Sequence, residues 1–420
     1  MRVLIINTSE RVGGAAIAAH RLMEALKGYG VSAKMLVRDR QSNKISVVNV
    51  PGGLRQPVKF LWERLRIFLA NRLSRKNLFQ VDIANTGTDV TSTIEFKQAD
   101  VIHLHWINQG FLSLDNIRGI LDSGKPVVVT MHDMWYFTGI CHYSGACEKY
   151  REACHHCELL RGGGSKNDLS AKVFRKKQSL YAGRDITFVA CSQWLAGLAR
   201  SASLFEGKTV VNIPNAINTN MFHPMEKRQQ RASHGLPDDK KLILFGAKRI
   251  TDGRKGFRYL VEACDIIRRD YPEWAEKIGI VVVGAASETV KNQLPLPVYS
   301  VDYVSEERDM VELYNAVDLY VTPSLQDNLP NTIVEAMACG VPCVGFHVGG
   351  IPEMIDHLHN GYVARYRDAK DFANGIIWTL NPEEYPGLCE MAEKKALESY
   401  SEKSVAEQYV RIYNQAISRH

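Results

Sequence analysis

Short β-branched and aliphatic runs alternate with longer amphipathic runs along nearly the whole chain, and this alternation is what most constrains the fold. Such alternation is typical of βαβ units, which build parallel sheets covered by helices. It occurs in two successive series, separated by His223, Pro224 and a polar stretch at 226–233. The sequence therefore predicts an α/β protein with two doubly wound sheets in two lobes that face each other across a cleft.

The boundaries of these elements follow from the apolar runs. Strands of the first series are predicted at 3–7, 31–37, 101–106, 127–132, 187–192 and 210–215. Strands of the second series are predicted at 242–246, 278–284, 298–304, 319–323 and 343–346, with helices such as 257–269, 305–315 and 332–339. Open α/β sheets bind ligands beyond the carboxyl ends of their strands, so functional residues are expected in the loops that follow strands.

Composition excludes several other classes of protein. With 420 residues, 45% of them hydrophobic and 23% charged, the chain is neither collagen-like nor largely disordered, and its length predicts two or three domains. No apolar run approaches the roughly 18–20 residues that span a bilayer. The first residues do not form the pattern of a secretory signal. We therefore expect a cytoplasmic protein without a transmembrane helix.

The positive charge is concentrated in one segment. Residues 54–76 hold seven basic side chains and one acid, so their net charge of +6 equals that of the whole chain. A nucleic-acid partner is not expected, because proteins that bind nucleic acids spread their cations over a whole face, whereas here one segment carries the excess. Apolar residues recur at helical spacing and basic residues lie on another side: Val58, Leu61, Leu65 and Phe68, against Arg55, Lys59 and Arg66. This basic amphipathic helix fits either peripheral contact with an anionic membrane or packing into its own lobe.

Four of the nine cysteines fall within 17 residues, with three histidines interspersed. These are Cys141, Cys147, Cys154 and Cys157. Four thiolates can bind structural zinc, and the final C-x2-C pair is half of a typical site, although the first spacing is looser than usual. The sequence favours zinc over the alternatives, which are disulfides and free thiols.

Two glycines follow the first predicted strand. Gly13 and Gly14 precede an amphipathic run, where backbone N–H groups at a helix N-terminus suit a phosphate or a reacting sugar. Glycine pairs before helices are also often only tight turns, so both interpretations stay open.

The string at 323–342 runs from a strand through a loop into a helix. Asp327 lies in the loop, Pro330 suits the first turn, and Glu335 follows in the helix. Carboxylates at this edge can accept hydrogen bonds from vicinal sugar hydroxyls. Alternatively, Asp327 only shapes a turn and Glu335 only favours the helix dipole.

The loop at 246–256 brings four cations together between glycines. Lys248, Arg249, Arg254 and Lys255 follow a predicted strand, which suits a diphosphate. A basic surface turn would explain the charge but not the glycines.

His132 ends the predicted strand at 127–132 and is followed by Asp133. A histidine there can donate to a hydroxyl or share a proton in the cleft. A single strand-end histidine is more often structural.

Together these motifs resemble family 4 of the retaining, nucleotide-sugar-dependent glycosyltransferases, over nearly the whole chain. The strings that carry the resemblance are Gly13-Gly14, the junction at 213–224, Arg249 with Lys255 and Gly256, Asp327 with Glu335 eight positions on, and 349–353 with Gly361. The strings at 103–106 and 132–135 are similar to those of bacterial cell-surface polysaccharide enzymes of the colanic-acid type.

The resemblance implies a GT-B fold, a nucleotide-diphosphate sugar as donor, a glycan or lipid-linked acceptor, and transfer with retention. It also implies that 1–215 is the acceptor lobe, that 216–399 is the donor lobe, and that a last helix at 400–420 crosses back onto the first lobe. No catalytic metal is expected, since the sequence has no Asp-x-Asp triplet. The alternatives are a non-catalytic nucleotide-sugar-binding protein and a sugar epimerase of the same fold, and the family motifs favour transfer over both.

The resemblance also assigns roles to residues. Arg249 and Lys255 would bind the donor diphosphate and stabilise the leaving group. Asp327 departs from the family, which usually has Glu there, and would lie at the hexose. The remaining assignments are His132 to the donor hexose, Glu335 to the ribose hydroxyls, Gly13 and Gly14 to the donor phosphate or sugar, and the backbone of Asn328, Leu329, Pro330 and Asn331 to the hexose.

Overall fold

A computed structural model describes residues 1–50, 55–250, 252–285, 291–301, 304 and 306–420. The side chains of Arg55, Lys248, Arg249 and Ala285 lie outside this description. The chain forms two compact units. Unit 1 comprises Met1–Ala216 together with Val405–His420, and unit 2 comprises Ile217–Ser404.

The sheet of unit 1 is parallel throughout its described strands. These are β1 (Arg2–Ser9), β2 (Ser32–Asp39), β3 (Val47–Asn49), β4 (Val101–Leu104), β5 (Val127–Met131), β6 (Thr187–Ala190) and β7 (Thr209–Asn212). Their order is β3-β2-β1-β4-β5-β6-β7. The strand order therefore reverses between β1 and β4, which is where doubly wound sheets open a crevice.

Helices cover both faces of this sheet. The helices of the first 216 residues are α1 (Gly14–Gly28), α2 (Arg55–Ala70), α3 (Ile94–Gln98), α4 (Leu114–Asp122), α5 (Leu169–Tyr181) and α6 (Gln193–Arg200). Alternate residues of β1 point to opposite faces, as the strand period of two requires. Val3 and Ile5 belong to one apolar cluster, and Leu4 and Ile6 belong to another.

Unit 2 repeats this design with a second parallel sheet. Its strands are β8 (Lys241–Arg249), β9 (Ile278–Ala285), β10 (Val298–Val301), β11 (Leu319–Thr322), β12 (Cys343–Phe346) and β13 (Gly361–Ala364). Their order is β10-β9-β8-β11-β12-β13, so this sheet reverses between β8 and β11.

The remaining helices include the last one of the chain. They are α7 (Lys227–Ser233), α8 (Phe257–Asp270), α9 (Pro272–Ala275), α10 (Glu307–Ala316), α11 (Asn331–Ala338), α12 (Ile351–Met354), α13 (Ala369–Thr379), α14 (Tyr385–Lys395) and α15 (Glu402–Ser418). From Val405 onward, α15 packs within unit 1. Single 3₁₀ turns lie at Trp135–Phe137, Lys149–Arg151, Arg161–Gly163, Ser203–Phe205 and Gly253–Lys255, and a π turn lies at Ala396–Tyr400.

The two predicted parallel sheets are confirmed. Each predicted strand is present, with ends that differ by a few residues. The short edge strands β3 and β13 were not predicted, because three or four residues carry too little pattern to stand out. Predicted positions 302, 303 and 305 lie outside the described residues. Within the described ranges, no helix combines the length and apolarity needed to span a bilayer.

Candidate functional site

Two loops of unit 2 meet where its sheet reverses: the cation loop, which holds Lys255, and the loop that holds Asp327. Lys255 follows β8 and Asp327 follows β11, and these two strands are neighbours. The Nζ of Lys255 donates to Oδ2 of Asp327 at 2.8 Å, although the residues are 72 positions apart. The side chains are 36% and 17% exposed, so solvent and ligands can reach the ammonium. Arg249 ends β8, but its side chain is not described.

Glycines allow three loops to pack closely at this edge. Gly256 has a φ of 69°, and a Cβ there would collide with the carbonyl oxygen of Pro323. Gly349, with a φ of 59°, would likewise collide with the carbonyl of Asp327. The next N–H, of Gly350, donates to the carbonyl of Asn328 at 2.8 Å. Of the glycines in the 246–256 loop, Gly256 is therefore needed for packing, whereas a Cβ on Gly246 or Gly253 would meet no close contact.

Glu335 lies in the second turn of α11, the helix that follows the Asp327 loop. Its side chain is buried, and the hydroxyl of Tyr314 donates to Oε2 at 2.8 Å. Tyr314 belongs to α10 and has no motif that could have revealed it from the sequence. The remaining predicted backbone positions surround the start of the helix: Asn328 and Leu329 are buried, Pro330 is the N-cap and Asn331 opens α11.

The predicted glycine pair of unit 1 lies at the start of α1. Gly13 is the N-cap residue of α1 and has a φ of 96°. It supplies no side-chain hydrogen bond to the start of the helix, and Gly14 is the first helical residue. A Cβ on Gly13 would meet nothing within 4 Å, so the positive φ, and not lack of space, calls for glycine. The end of β1 is tied to the loop after β4, because the N–H of Trp106 donates to Oδ1 of Asn7 at 2.9 Å.

His132 follows β5 and is held by a second histidine. Its Nε2 lies 2.9 Å from Nδ1 of His105, and its Nδ1 lies 3.5 Å from Sγ of Cys191. Burial lowers the pKa of His132 to about 4, which leaves the imidazole neutral at pH 7. Nε2 of the buried His105 has no hydrogen-bond partner among the described residues.

A buried cation next to this pair was not predicted. Nδ1 of His142 lies 2.7 Å from Oδ2 of Asp133, and its Nε2 lies 2.6 Å from Oδ2 of Asp82. Burial opposes protonation of His142, but the two carboxylates outweigh it and raise its pKa to about 10. Nε1 of Trp106 also donates to Asp133 at 3.0 Å. The His132-Asp133 string could have revealed this cation from the sequence, because a buried carboxylate such as that of Asp133 needs a partner.

The zinc prediction is not supported. Cys141, Cys147, Cys154 and Cys157 are all free thiols. Among the residues that the structure describes, no group of three or more His, Cys, Asp or Glu could hold a metal ion. Burial raises the pKa of Cys141 to about 12 and that of Cys154 to about 11. These two thiols and Cys157 pack against the core of unit 1.

Two family profiles match the chain in succession. The profile described as Glycosyltransferase Family 4 matches residues 12–221. The profile described as Glycosyl transferases group 1 matches residues 240–382.

Curated relatives are about a quarter identical to this chain over the stretches that align. N-acetyl-alpha-D-glucosaminyl L-malate synthase of Bacillus anthracis is 26% identical over 49% of this chain and 54% of its own length. An uncharacterized glycosyltransferase of Methanocaldococcus jannaschii is 26% identical over 81% of this chain and 91% of its own length. N,N'-diacetylbacillosaminyl-diphospho-undecaprenol alpha-1,3-N-acetylgalactosaminyltransferase of Campylobacter jejuni is 27% identical over 55% of this chain and 60% of its own length.

Solved structures share the fold at lower sequence identity. Sucrose-phosphate synthase of Thermosynechococcus elongatus has a TM-score of 0.68 and 17% identity, and the match covers 100% of both chains. HepE of Anabaena, in complex with UDP-glucose, has a TM-score of 0.64 and 16% identity over 99% of this chain and 100% of its own. The predicted GT-B fold class is confirmed.

Proposed function

Because this chain belongs to glycosyltransferase family 4 and is a glycosyltransferase, we propose that it transfers a hexose-type sugar from a nucleotide-diphosphate sugar with retention of anomeric configuration. The observation that carries this proposal is the Lys255–Asp327 ion pair at the reversal point of the second sheet. Ligands of doubly wound sheets bind at such points.

The donor diphosphate binds at the cation loop. As the anomeric bond breaks, negative charge grows on the departing nucleoside diphosphate, and Arg249 with Lys255 neutralises it without a metal. The absence of an Asp-x-Asp triplet supports this metal-independent route. Asp327 holds the Lys255 ammonium in place at 2.8 Å, and the ammonium has further protons to offer a phosphate oxygen.

The other site residues bind the sugar and the nucleoside. Glu335, oriented by Tyr314, accepts hydrogen bonds from the ribose hydroxyls. The backbone around Asn328, Leu329, Pro330 and Asn331 meets the hexose beside Asp327. In unit 1, Gly13 and Gly14 approach the donor, and the neutral imidazole of His132, oriented by His105, contacts a hexose hydroxyl.

We assign the acceptor to the glycans and lipid-linked sugars of cell-surface polysaccharide synthesis, such as capsule or exopolysaccharide of the colanic-acid type. The name of the Campylobacter relative, a diphospho-undecaprenol N-acetylgalactosaminyltransferase, supports a lipid-linked acceptor. The enzyme would work in the cytoplasm, in peripheral contact with the inner face of the cytoplasmic membrane.

A donor screen followed by variants tests this function. Purified protein is incubated with a panel of nucleotide sugars, beginning with UDP-sugars, and slow nucleotide release by hydrolysis is measured. Arg249→Ala and Lys255→Ala should each lower kcat by about 100-fold and change donor affinity less, because their charge matters most as the diphosphate leaves. Glu335→Ala should mainly raise the donor KM. Asp327→Glu keeps the carboxylate, so activity should survive.

Arg268→Ala is the matched control, because it removes an exposed cation of unit 2 whose partner is Asp265. It should leave kcat and KM unchanged. Nuclear magnetic resonance of the product reports whether configuration is retained. A pure binding protein would release no nucleotide, and normally folded Arg249→Ala and Lys255→Ala proteins with wild-type turnover would refute the proposed mechanism.

A further inference from the structure

Helix α2 buries polar residues and exposes most of its large apolar ones, unlike an ordinary surface helix, although Ile67 is buried in the core of unit 1. Glu63 is fully buried, and Gln56 and Arg64 are nearly so. The outward side carries five large apolar residues that are between 44% and 63% exposed. This outer stripe consists of Val58, Leu61, Trp62, Leu65 and Leu69. Phe68, which the sequence placed on the same side, is half-buried.

The inward polar residues fix the helix in this orientation. Oε1 of Glu63 accepts from the backbone N–H groups of Ile83 at 3.0 Å and Ala84 at 2.7 Å. Arg64 donates to the carbonyl oxygen of Leu78 at 2.6 Å and forms a buried ion pair with Asp82. Rolling the helix to bury the outer stripe would break these bonds, since buried charges require such partners. The stripe is therefore a stable feature of the surface.

A basic groove lies beside the same helix. This cavity of about 710 Å³ is lined by apolar residues that include Leu69 and Val173. Its described lining contains no Asp or Glu and five cations, namely Arg66, Arg118, Lys172, Arg175 and Lys176. Within the described part of the chain, none of these five forms an ion pair. The groove thus offers cations for an anion next to an apolar surface.

We propose that the outer stripe and the basic groove together dock on an anionic phospholipid bilayer. Lipid phosphates would bind in the groove, while the stripe enters the boundary between headgroups and acyl chains. Charge complementarity favours this partner, because Arg72, Arg75 and Lys76 extend the positive surface beyond α2 and the one acid of the helix is buried. A nucleic acid would use the cations but not five exposed apolar side chains.

This inference deepens the membrane contact of the proposed function. It gives the contact a specific orientation, in which α2 and the neighbouring residues of α5 face the lipid.

Vesicle flotation tests the inference without donor or acceptor. Wild-type protein should bind vesicles with about 30% phosphatidylglycerol far better than pure phosphatidylcholine vesicles, and 0.5 M salt should weaken binding, since salt screens exposed charges. Lys172→Glu with Arg175→Glu and Lys176→Glu should weaken binding at least 10-fold. Leu61→Ser with Leu65→Ser should do the same without changing the charge.

The control reverses three exposed cations of unit 2, with Arg268→Glu, Lys277→Glu and Arg308→Glu. Its charge change equals that of the groove variant, and it should bind vesicles nearly as well as wild type. Thermal melting confirms that each variant is folded. If this control loses vesicle binding to the same extent as the groove variant, the loss depends on net charge alone, and the proposed docking site is overturned.

Two further outcomes would overturn the inference. One is equal or absent binding to both kinds of vesicle. The other is a concentration-dependent dimer, seen by light scattering and abolished by Leu61→Ser with Leu65→Ser, which would assign the stripe to a second copy of the chain. Donor hydrolysis measured without vesicles should be normal in all these variants, so failed docking and failed transferase activity are distinguishable.

Discussion

At the residue scale, the candidate site of unit 2 depends on side-chain pairs that join different loops and helices. Lys255 and Asp327 were each predicted as separate candidates, and their ion pair joins loops that follow different strands. Glu335 was predicted as well, but the Tyr314 hydroxyl that orients it was not. Such partners depend on how loops from neighbouring strands meet, and one sequence contains motifs but no distances.

Glycine at 349 is one place where a single residue sets loop geometry. Gly349→Ala should destabilise the protein by more than the roughly 1–2 kcal/mol that a side chain costs in the left-handed region, because its Cβ would also push against the carbonyl of Asp327. It should also weaken donor binding by displacing the Asp327 loop. Urea unfolding and donor titration measure the two effects.

Gly235→Ala is the matched control for this substitution. Gly235 has a similar φ of 62°, but a Cβ there meets nothing within 4 Å. It should therefore show the conformational cost alone. If both variants lose equal stability and bind the donor normally, the close packing of Gly349 against Asp327 contributes neither to stability nor to donor binding.

At the element scale, α2 shows what periodicity can and cannot predict. The spacing of apolar residues correctly indicated an amphipathic helix, but it left open which side faces the core. Which side of α2 faces the core depends on polar groups elsewhere in the chain. Arg64 pairs with Asp82, which His142 links to Asp133 at the end of β5. No periodic pattern reveals a buried charge chain of this kind.

That chain should make stability depend on pH. The pKa of His142 is raised from an ordinary 6.5 to about 10, so its stabilising contribution is fully present below about pH 6.5 and is lost as pH rises through about 10. His142→Gln leaves Asp133 without its cation and should cost about 3–5 kcal/mol at pH 6. The difference from wild type in urea unfolding should shrink by pH 10.

The control for this pH dependence is His359→Gln, which changes an exposed histidine. Its unfolding curves should match those of wild type at every pH. A stability loss in His142→Gln that stays constant from pH 6 to pH 10 would show that His142 is not protonated in the folded protein.

At the scale of the whole molecule, two series of strands and helices were enough to predict two parallel sheets. The pattern also predicted a last helix, because long amphipathic runs are read reliably. What it could not show is how that helix is fixed. The hydroxyl of Tyr409 lies 2.8 Å from Oγ1 of Thr130, and that of Tyr413 lies 2.7 Å from Nδ1 of His103, so polar contacts hold α15 to the interior of unit 1.

These contacts predict that α15 stabilises unit 1, while binding of the nucleoside diphosphate by unit 2 does not depend on them. Tyr409→Phe with Tyr413→Phe leaves the buried groups of Thr130 and His103 with fewer partners, which should cost about 1–3 kcal/mol per hydroxyl. Tyr29→Phe, at an exposed tyrosine of unit 1, should cost little. Calorimetric titration with the nucleoside diphosphate identified by the donor screen should give wild-type affinity, because Lys255, Asp327 and Glu335 belong to unit 2. A folded double variant that loses this affinity would mean that nucleotide binding needs the interior of unit 1, and the donor site would have to be reassigned.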